Sequence, residues 1–174
     1  MRGREAPALA LLFSAGMLAG AYAFEYIGGL LPCQMCWWQR WVHWGVLGVG
    51  LAGVAAPRAV GGRASALGPR FWGALAALGL LASFAVAGFH AGVEYGLWEG
   101  PQSCSAGAGA DLGAVDPGAI FDGLSEPLAA VSCADAAWSF AGLSMAGWNA
   151  VLSLGAAGAV VWLLMRGRAW WGTP

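Results

Sequence analysis

Residues 71–89 read FWGALAALGLLASFAVAGF, nineteen consecutive residues without a charged side chain. A helix needs about 20 predominantly apolar residues to cross the hydrocarbon core of a bilayer, so this stretch alone indicates a membrane span. Further uncharged runs lie on either side of it, at residues 6–24, 41–57 and 136–165. These runs predict four membrane-spanning helices, at about residues 6–26, 35–56, 71–92 and 147–165.

The composition agrees with a membrane protein. Of the 174 residues, 59% are hydrophobic and 10% are charged, whereas a soluble domain carries about 25% charged residues. So few charges cannot cover a soluble globule, and so much apolar character excludes a disordered chain. Eight basic residues against nine acidic ones leave no basic surface for nucleic acid. We therefore predict an all-α integral membrane protein whose surroundings are membrane lipid.

The charged residues are segregated along the chain. Arginines lie before the first span, between the second and third, and after the fourth: Arg2, Arg4, Arg58, Arg63, Arg70, Arg166 and Arg168. Because basic residues favour the cytoplasmic side, both termini are predicted to be cytoplasmic. We expect a single membrane domain over residues 1–174. It is a four-transmembrane-helix bundle with a long outer loop, about residues 94–145, between helices three and four.

The N-terminus allows one other interpretation. Arginines precede an apolar stretch that ends in Ala21-Tyr22-Ala23, a pattern typical of a signal peptide and its cleavage site. An uncharged stretch of nineteen residues is long for such a segment, which favours a retained span. Both interpretations leave the cysteines on the same side of the membrane.

All four cysteines fall in the two outward-facing segments. In an oxidising compartment, such a set is typical of two disulfides or of a thiol–disulfide exchange system. Cys33 and Cys36 form a C-x-x-C motif directly after Pro32, at the predicted start of the second helix. A helix N-terminus stabilises a thiolate. Trp37 stands where a c-type haem motif needs histidine, and the motif lacks a second close pair for zinc, so we predict neither haem nor metal.

Arg40 is the one arginine that lies on the outer side. It follows Cys36 by four residues, so the two side chains share a helix face. A guanidinium there could stabilise the Cys36 thiolate and hydrogen-bond a carbonyl acceptor. The alternative is that Arg40 extends to the lipid headgroups. The neighbouring C-x-x-C favours the functional role.

Cys104 and Cys133 form a second pair, far apart in the outer loop. A disulfide that only staples this loop would be worth about 3 kcal/mol in chain entropy. The glycine- and alanine-rich residues 105–114 beside Cys104 predict an accessible position, which is typical of a disulfide that exchanges. The residues alone leave both interpretations open.

Three sequence blocks in a fixed order resemble the DsbB family of bacterial disulfide-generating membrane proteins. They are P-C-x-x-C-x-x-Q-R at residues 32–40, G-P-x-x-C at residues 100–104, and CADAAWSFAGLSMAGW at residues 133–148. The resemblance implies an inner-membrane protein whose redox cysteines and long loop are periplasmic. It would reoxidise a soluble DsbA-type thioredoxin-fold oxidase and transfer the electrons to membrane quinone, either ubiquinone or menaquinone.

The resemblance also implies a role for each cysteine. Cys104 would be attacked by the partner's thiolate and form a mixed disulfide. Cys133 would be its partner in the loop and would exchange with Cys33. Cys36 would then be the thiolate that faces the quinone.

Other residues are candidate quinone contacts. Arg40 would stabilise the thiolate and a quinone oxygen, and Met145 matches a position near the quinone in the family. His43 shares a helix face with Arg40 and either helps to protonate quinone or hydrogen-bonds a neighbouring helix. His90 lies in the vicinity of a family histidine. Glu25 either relays protons or, as we favour, reaches the lipid headgroups.

Two other functions are compatible with these residues. One is a structural membrane protein whose loop is stapled by Cys104 and Cys133. The other is a vitamin-K-epoxide-reductase-like enzyme, which also combines four cysteines with quinone in a helical bundle. The order of the cysteines, with C-x-x-C first and the distant pair later, favours the DsbB-like arrangement. Glu94 is expected to be a solvated loop charge.

Overall fold

The computed structural model describes residues 4–59, 68–101, 104 and 131–169. Within this part of the chain there are four long α-helices: α1 (Glu5–Tyr26), α2 (Gln34–Ala59), α3 (Pro69–Glu94) and α4 (Met145–Ala169). Each predicted span lies inside one of these helices, which extend beyond it by a few residues at most. The architecture is an all-helical bundle, as the sequence predicts.

Three of the four helices are long and apolar enough to cross a membrane, namely α1, α3 and the Met145–Arg166 part of α4. The helix α2 is less apolar because its first turns carry polar side chains, which are Gln34, Gln39, Arg40 and His43. Gln39, Arg40 and His43 belong to the site described below. The apolar character of α2 is therefore reduced where the chain needs polar chemistry.

The side chains are arranged as expected for a bundle surrounded by lipid. Large apolar residues are more than half exposed on α1, α3 and α4, among them Leu12, Leu78 and Trp162. Hydroxyl groups instead occupy the centre of the bundle, where Ser14, Ser83 and Ser153 are completely buried. Apolar groups outside and paired polar groups inside suit a protein whose outer solvent is hydrocarbon.

Small residues let the helices approach closely. A Cβ atom on Gly50 of α2 would lie 2.8 Å from Cβ of Leu11 on α1, and one on Gly53 would lie 2.7 Å from Cβ of Pro7. Only glycine permits so short a distance between these backbones. Alanines continue the same packing in the buried core, which includes Ala6, Ala10, Ala76, Ala77 and Ala157.

A tight turn returns the chain from α1 to α2. The backbone N–H groups of Ile27 and Gly28 donate to the carbonyl of Ala23, over 2.9 and 3.1 Å. Gly29 follows with φ of 68°, the left-handed conformation that commonly ends a helix. The turn brings residues 30–33 back against the bundle, where they line the cavity described below.

A short β-hairpin precedes α4, and the sequence did not predict it. Strand β1 (Ser139–Phe140) pairs antiparallel with β2 (Leu143–Ser144). Ala141 and Gly142 join them with φ of 51° and 80°, the positive values that a two-residue type I′ turn requires. The N–H of Ser144 donates to the hydroxyl of Tyr95 over 3.0 Å, which ties the hairpin to the chain just after α3.

Candidate functional site

A cavity of about 450 Å³ opens among α1, α2, the end of α3, α4 and the turn that precedes α2. Its lining is mostly apolar, with a few converging polar groups, as is usual for small-molecule sites. Six residues expected to act in catalysis or quinone binding line it: Cys33, Cys36, Arg40, His43, His90 and Met145. The fold thus brings together side chains that are more than 100 residues apart in the sequence.

Cys33 and Cys36 form a close thiol pair at the start of α2. Their Sγ atoms are 2.8 Å apart, and the backbone N–H of Cys36 donates to Cys33 Sγ over 3.2 Å. The hydrogen bond from the Cys36 thiol lowers the pKa of Cys33 to about 4, against the opposing effect of burial. The hydrogen bonds at the helix start therefore stabilise a thiolate on Cys33, whereas we had expected it on Cys36.

Cys104 and Cys133 form a disulfide, with Cα atoms 5.2 Å apart. The expectation that Cys104 is accessible is wrong, because only 5% of Cys104 and none of Cys133 is exposed. The N–H of Cys104 donates to the carbonyl of Pro101 over 2.8 Å, and Cys104 packs with Val93 in a buried cluster. Residues 105–114, on which the expectation rested, lie outside the described residues.

The disulfide lies directly beside the thiol pair. Cys33 Sγ, Cys133 Sγ and a ring nitrogen of His90 are all within 4.8 Å of one another. Three such atoms could in principle ligate a metal ion, but the sulfur of Cys133 is bonded to Cys104 and is not available as a thiolate. The arrangement instead places a thiolate next to a disulfide sulfur, as thiol–disulfide exchange requires.

His90 is the histidine closest to this chemistry. Its Nε2 lies 3.5 Å from Cys33 Sγ, and its Nδ1 lies 2.7 Å from Nε2 of Gln39. Glu94 lies one turn further along α3, with Oε1 3.8 Å from His90 Nε2 and its side chain only 5% exposed. The expectation of a solvated charge at Glu94 is therefore wrong. The last turn of α3 faces the buried cysteine cluster.

Arg40 is held inside the protein. Its guanidinium forms an ion pair with Glu25 and donates to the carbonyl of Ala21 over 3.3 Å. The rings of Tyr22 and Trp37 lie 4.7 and 5.0 Å from the guanidinium carbon, so both aromatic faces meet the cation. The side chains of Arg40 and Glu25 are 8% and 15% exposed, so each faces its partner inside the bundle rather than the surface. The hydrogen bonds of Arg40 go to Glu25 and Ala21 instead of Cys36.

His43 bonds three neighbouring helices, which is one of the two expectations for it. Its Nδ1 lies 3.3 Å from Ser14 Oγ, and its Nε2 lies 3.0 Å from Asn149 Oδ1 and 3.1 Å from Ser83 Oγ. Asn149 in turn donates to Gln39 over 2.6 Å. These contacts connect α1, α2, α3 and α4 through buried polar atoms.

Sequence reasoning had not singled out Gln39 or Asn149 individually. A signal was present, because Gln39 lies three residues after Cys36 and shares its helix face. Asn149 and Ser153 are four residues apart within an otherwise apolar run, so they also share a face. Polar residues repeated at helical spacing inside a membrane span mark a functional face.

Comparison with known proteins identifies the family of the chain. The model of the family described as Disulfide bond formation protein DsbB matches residues 3–163. The chain belongs to this family. With its family membership and its apolar helices, the chain is a membrane disulfide oxidoreductase, consistent with reoxidation of DsbA and transfer of the electrons to quinone.

Three relatives carry the name Disulfide bond formation protein B. The one from Marinobacter nauticus is 32% identical over 148 residues, covering 82% of this chain and 80% of the relative. The one from Methylococcus capsulatus is 34% identical over 152 residues, covering 84% and 85%. The one from Saccharophagus degradans is 31% identical over 153 residues, covering 87% and 86%. No solved structure matches the chain at a significant level.

Proposed function

We propose that this DsbB-family chain takes two electrons from a soluble periplasmic DsbA-type oxidase at Cys104–Cys133 and passes them through Cys33 and Cys36 to membrane quinone. The observation that carries the proposal is the contact between the two cysteine pairs. A disulfide sulfur and a thiolate lie within 4.8 Å of each other, and the thiol pair lines a cavity large enough for a small molecule.

The proposed topology has four spans, with cytoplasmic termini and a periplasmic loop at residues 94–145. In this arrangement α2 crosses the membrane as well, in addition to α1, α3 and α4. Its first turns line the cavity and its later residues pack against α1 in the membrane part of the bundle. The arginine distribution supports this topology, in which the cysteines lie on the periplasmic side, where disulfides persist.

The exchange steps balance as follows. A thiolate of the partner attacks Cys104, which forms a mixed disulfide and releases Cys133 as a thiolate. Cys133 attacks Cys33 of the Cys33–Cys36 disulfide and releases Cys36. The partner's second thiolate resolves the mixed disulfide, and Cys104 then displaces Cys33 from Cys133, which leaves the oxidised partner, the Cys104–Cys133 disulfide and a Cys33/Cys36 dithiol. This last arrangement of the cysteines is the one in the structure.

The cavity residues fit a quinone. Arg40 supplies donor groups beside an apolar space, and Met145 and His90 contribute to its walls. Glu94 also lines the cavity, and its Oε2 is buried with no hydrogen-bond partner among the described residues. Arg40, His90 and Met145 would hold the quinone ring in this cavity. A bound ubiquinone or menaquinone would supply the acceptor for the two electrons that leave Cys33 and Cys36, with one proton from the Cys36 thiol and a second from water.

The function is tested by mixing the purified protein with a reduced DsbA-type oxidase and ubiquinone and following quinone absorbance. We expect quinone reduction by the wild type and none by Cys36→Ala. If the chain were a structural protein with a stapled loop, neither the wild type nor Cys36→Ala would reduce quinone. Reduction by Cys36→Ala at the wild-type rate would refute the proposed electron path.

A further inference from the structure

A chain of buried hydrogen bonds leads from the centre of the bundle to the thiol pair. It begins at His43 Nε2, which lies 3.0 Å from Asn149 Oδ1, and Asn149 Nδ2 donates to Gln39 Oε1 over 2.6 Å. Gln39 Nε2 lies 2.7 Å from His90 Nδ1, and His90 Nε2 lies 3.5 Å from Cys33 Sγ. These five residues are each at most 8% exposed.

The hydrogen bonds of this series all donate in the same direction, toward Cys33. Asn149 Oδ1 also accepts a hydrogen bond from Ser153 over 3.0 Å, so this oxygen faces donors and the amide N–H groups face Gln39. The oxygen of Gln39 is occupied by Asn149, which leaves the N–H of Gln39 to donate to His90 Nδ1. A ring nitrogen that accepts carries no proton, and a neutral imidazole then carries its proton on the other nitrogen. That nitrogen, Nε2, faces Cys33.

We propose that Gln39 and Asn149 are positioning residues that hold His90 as the tautomer protonated on Nε2, so that it donates to the Cys33 thiolate. The inference rests on the proposed function, because it explains how the thiol that exchanges with Cys133 is kept reactive. Burying two amides in a membrane span is costly unless every polar atom is paired. Here the pairing also sets which histidine nitrogen carries the proton.

Two titratable groups and one disulfide sulfur face this histidine and thiol. Cys36 on α2 hydrogen-bonds Cys33 directly. Glu94 on α3 has Oε1 3.8 Å from His90 Nε2, a distance too long for a hydrogen bond. Cys133, from the segment before α4, is bonded to Cys104 and does not titrate. His90 also has a backbone hydrogen bond to Cys133, and Cys33 Sγ is the sulfur acceptor that faces Nε2.

The first test uses the full-length wild-type protein with nitrogen-15 labelled histidine. The chain has two histidines, so each ring gives its own pair of nitrogen signals. We expect His90 to be protonated on Nε2 and bare on Nδ1. A His90 ring protonated on Nδ1 in the wild type would overturn the proposal. This measurement needs no variant, so it holds even where a substitution prevents folding.

The second test uses Gln39→Glu to reverse the direction of the hydrogen bond between residue 39 and His90. A carboxylate only accepts, so His90 would have to donate from Nδ1 and leave Nε2 bare. With the other three cysteines replaced by serine, we expect the midpoint of Cys33 ionisation, followed by thiolate absorbance, to rise by about one to two pH units. That is the size expected when a thiolate loses one charge-assisted hydrogen bond.

Ser14→Ala is the matched control. It removes the group 3.3 Å from His43 Nδ1 and leaves Asn149, Gln39 and His90 in place. We expect changed signals for His43, unchanged signals for His90 and an unchanged Cys33 midpoint. If the Cys33 midpoint rises in Gln39→Glu while His90 stays protonated on Nε2, charge repulsion alone explains the rise. That result overturns the proposal. A protein with the expected tautomer that reduces no quinone refutes the proposed function and leaves the tautomer assignment standing.

Discussion

Arg40 forms an ion pair with Glu25 beside the cavity that also contains Cys36 and Met145. The pair joins the start of α2 to the end of α1 and is covered by the rings of Tyr22 and Trp37. A buried cation that is paired in this way keeps its position without extending to solvent. The one arginine that breaks the charge segregation of the chain is thus fixed in the wall of the candidate quinone site.

Arg40→Ala is expected to raise the quinone KM by about tenfold or more, since a hydrogen bond to a charged group is worth about 1.5–3 kcal/mol. The measurement is quinone reduction as a function of quinone concentration. Formation of the mixed disulfide at Cys104 should be unchanged, because that step does not involve the cavity. An unchanged quinone KM would return Arg40 to a purely structural role.

Glu25→Ala is expected to reduce the free energy of unfolding by about 3 kcal/mol, because it leaves the Arg40 guanidinium buried without its counter-charge. Thermal unfolding in detergent measures this effect. Glu25→Gln is the matched control, since its amide oxygen still accepts from Arg40 and should reduce the loss. Equal stability of the wild type and Glu25→Ala would show that the ion pair contributes nothing to the fold.

The thiolate of Cys33 is expected to persist far into the acid range. Its pKa is lowered to about 4 from the ordinary value of 9.0, chiefly by the Cys36 hydrogen bond. A lowered pKa in the folded state stabilises the fold above the unfolded value, and this stabilisation disappears as the pH falls through the folded value. Thiolate absorbance in the form with free Cys33 and Cys36 should therefore stay constant from neutral pH down to about pH 5.

Cys36→Ala should raise the midpoint for Cys33 by more than about one pH unit, because the thiol donor is lost. Cys36→Ser retains a hydroxyl donor and is expected to keep most of the shift. An identical midpoint in Cys36→Ala and the wild type would mean that the thiol pair does not share a proton as the geometry indicates.

Gly50→Ala is expected to destabilise the bundle by about 1–3 kcal/mol, the usual cost of overpacking a close contact. The new Cβ would lie 2.8 Å from Cβ of Leu11 and 2.9 Å from the carbonyl oxygen of Pro7. Gly48→Ala, on the same helix, meets nothing within 4 Å and should leave thermal unfolding unchanged or raise the midpoint. Equal effects of the two substitutions would contradict the close approach of α1 and α2.

Much of the site could be predicted because several of its reactive residues lie close together in the sequence. Cys33, Cys36, Arg40 and His43 follow one another at helical spacing in a single segment, so their shared face is visible in the sequence. The long apolar runs likewise predict where α1, α3 and α4 lie, because crossing a membrane demands length and composition together. The three sequence blocks that resemble the DsbB family then connect these residues to Cys104, Cys133 and Met145.

What could not be predicted depends on contacts between distant segments. The burial of Cys104 results from its packing with Val93 on α3, which no local pattern reveals. The pairing of Glu25 with Arg40 likewise depends on how the turn at Gly28 and Gly29 directs the chain. The donor direction through Asn149 emerges only when side chains from α2, α3 and α4 meet in the bundle.

The central claim is that the loop disulfide exchanges with the thiol pair through Cys133 and Cys33. It is tested most directly in a Cys36→Ser, Cys104→Ser protein, which retains only these two cysteines, after mild oxidation and mass spectrometry of the linked peptides. We expect a Cys33–Cys133 disulfide in most molecules, and little linkage in the matched Cys33→Ser, Cys104→Ser protein. Unlinked Cys33 and Cys133, or equal linkage in both proteins, would contradict the proposed exchange.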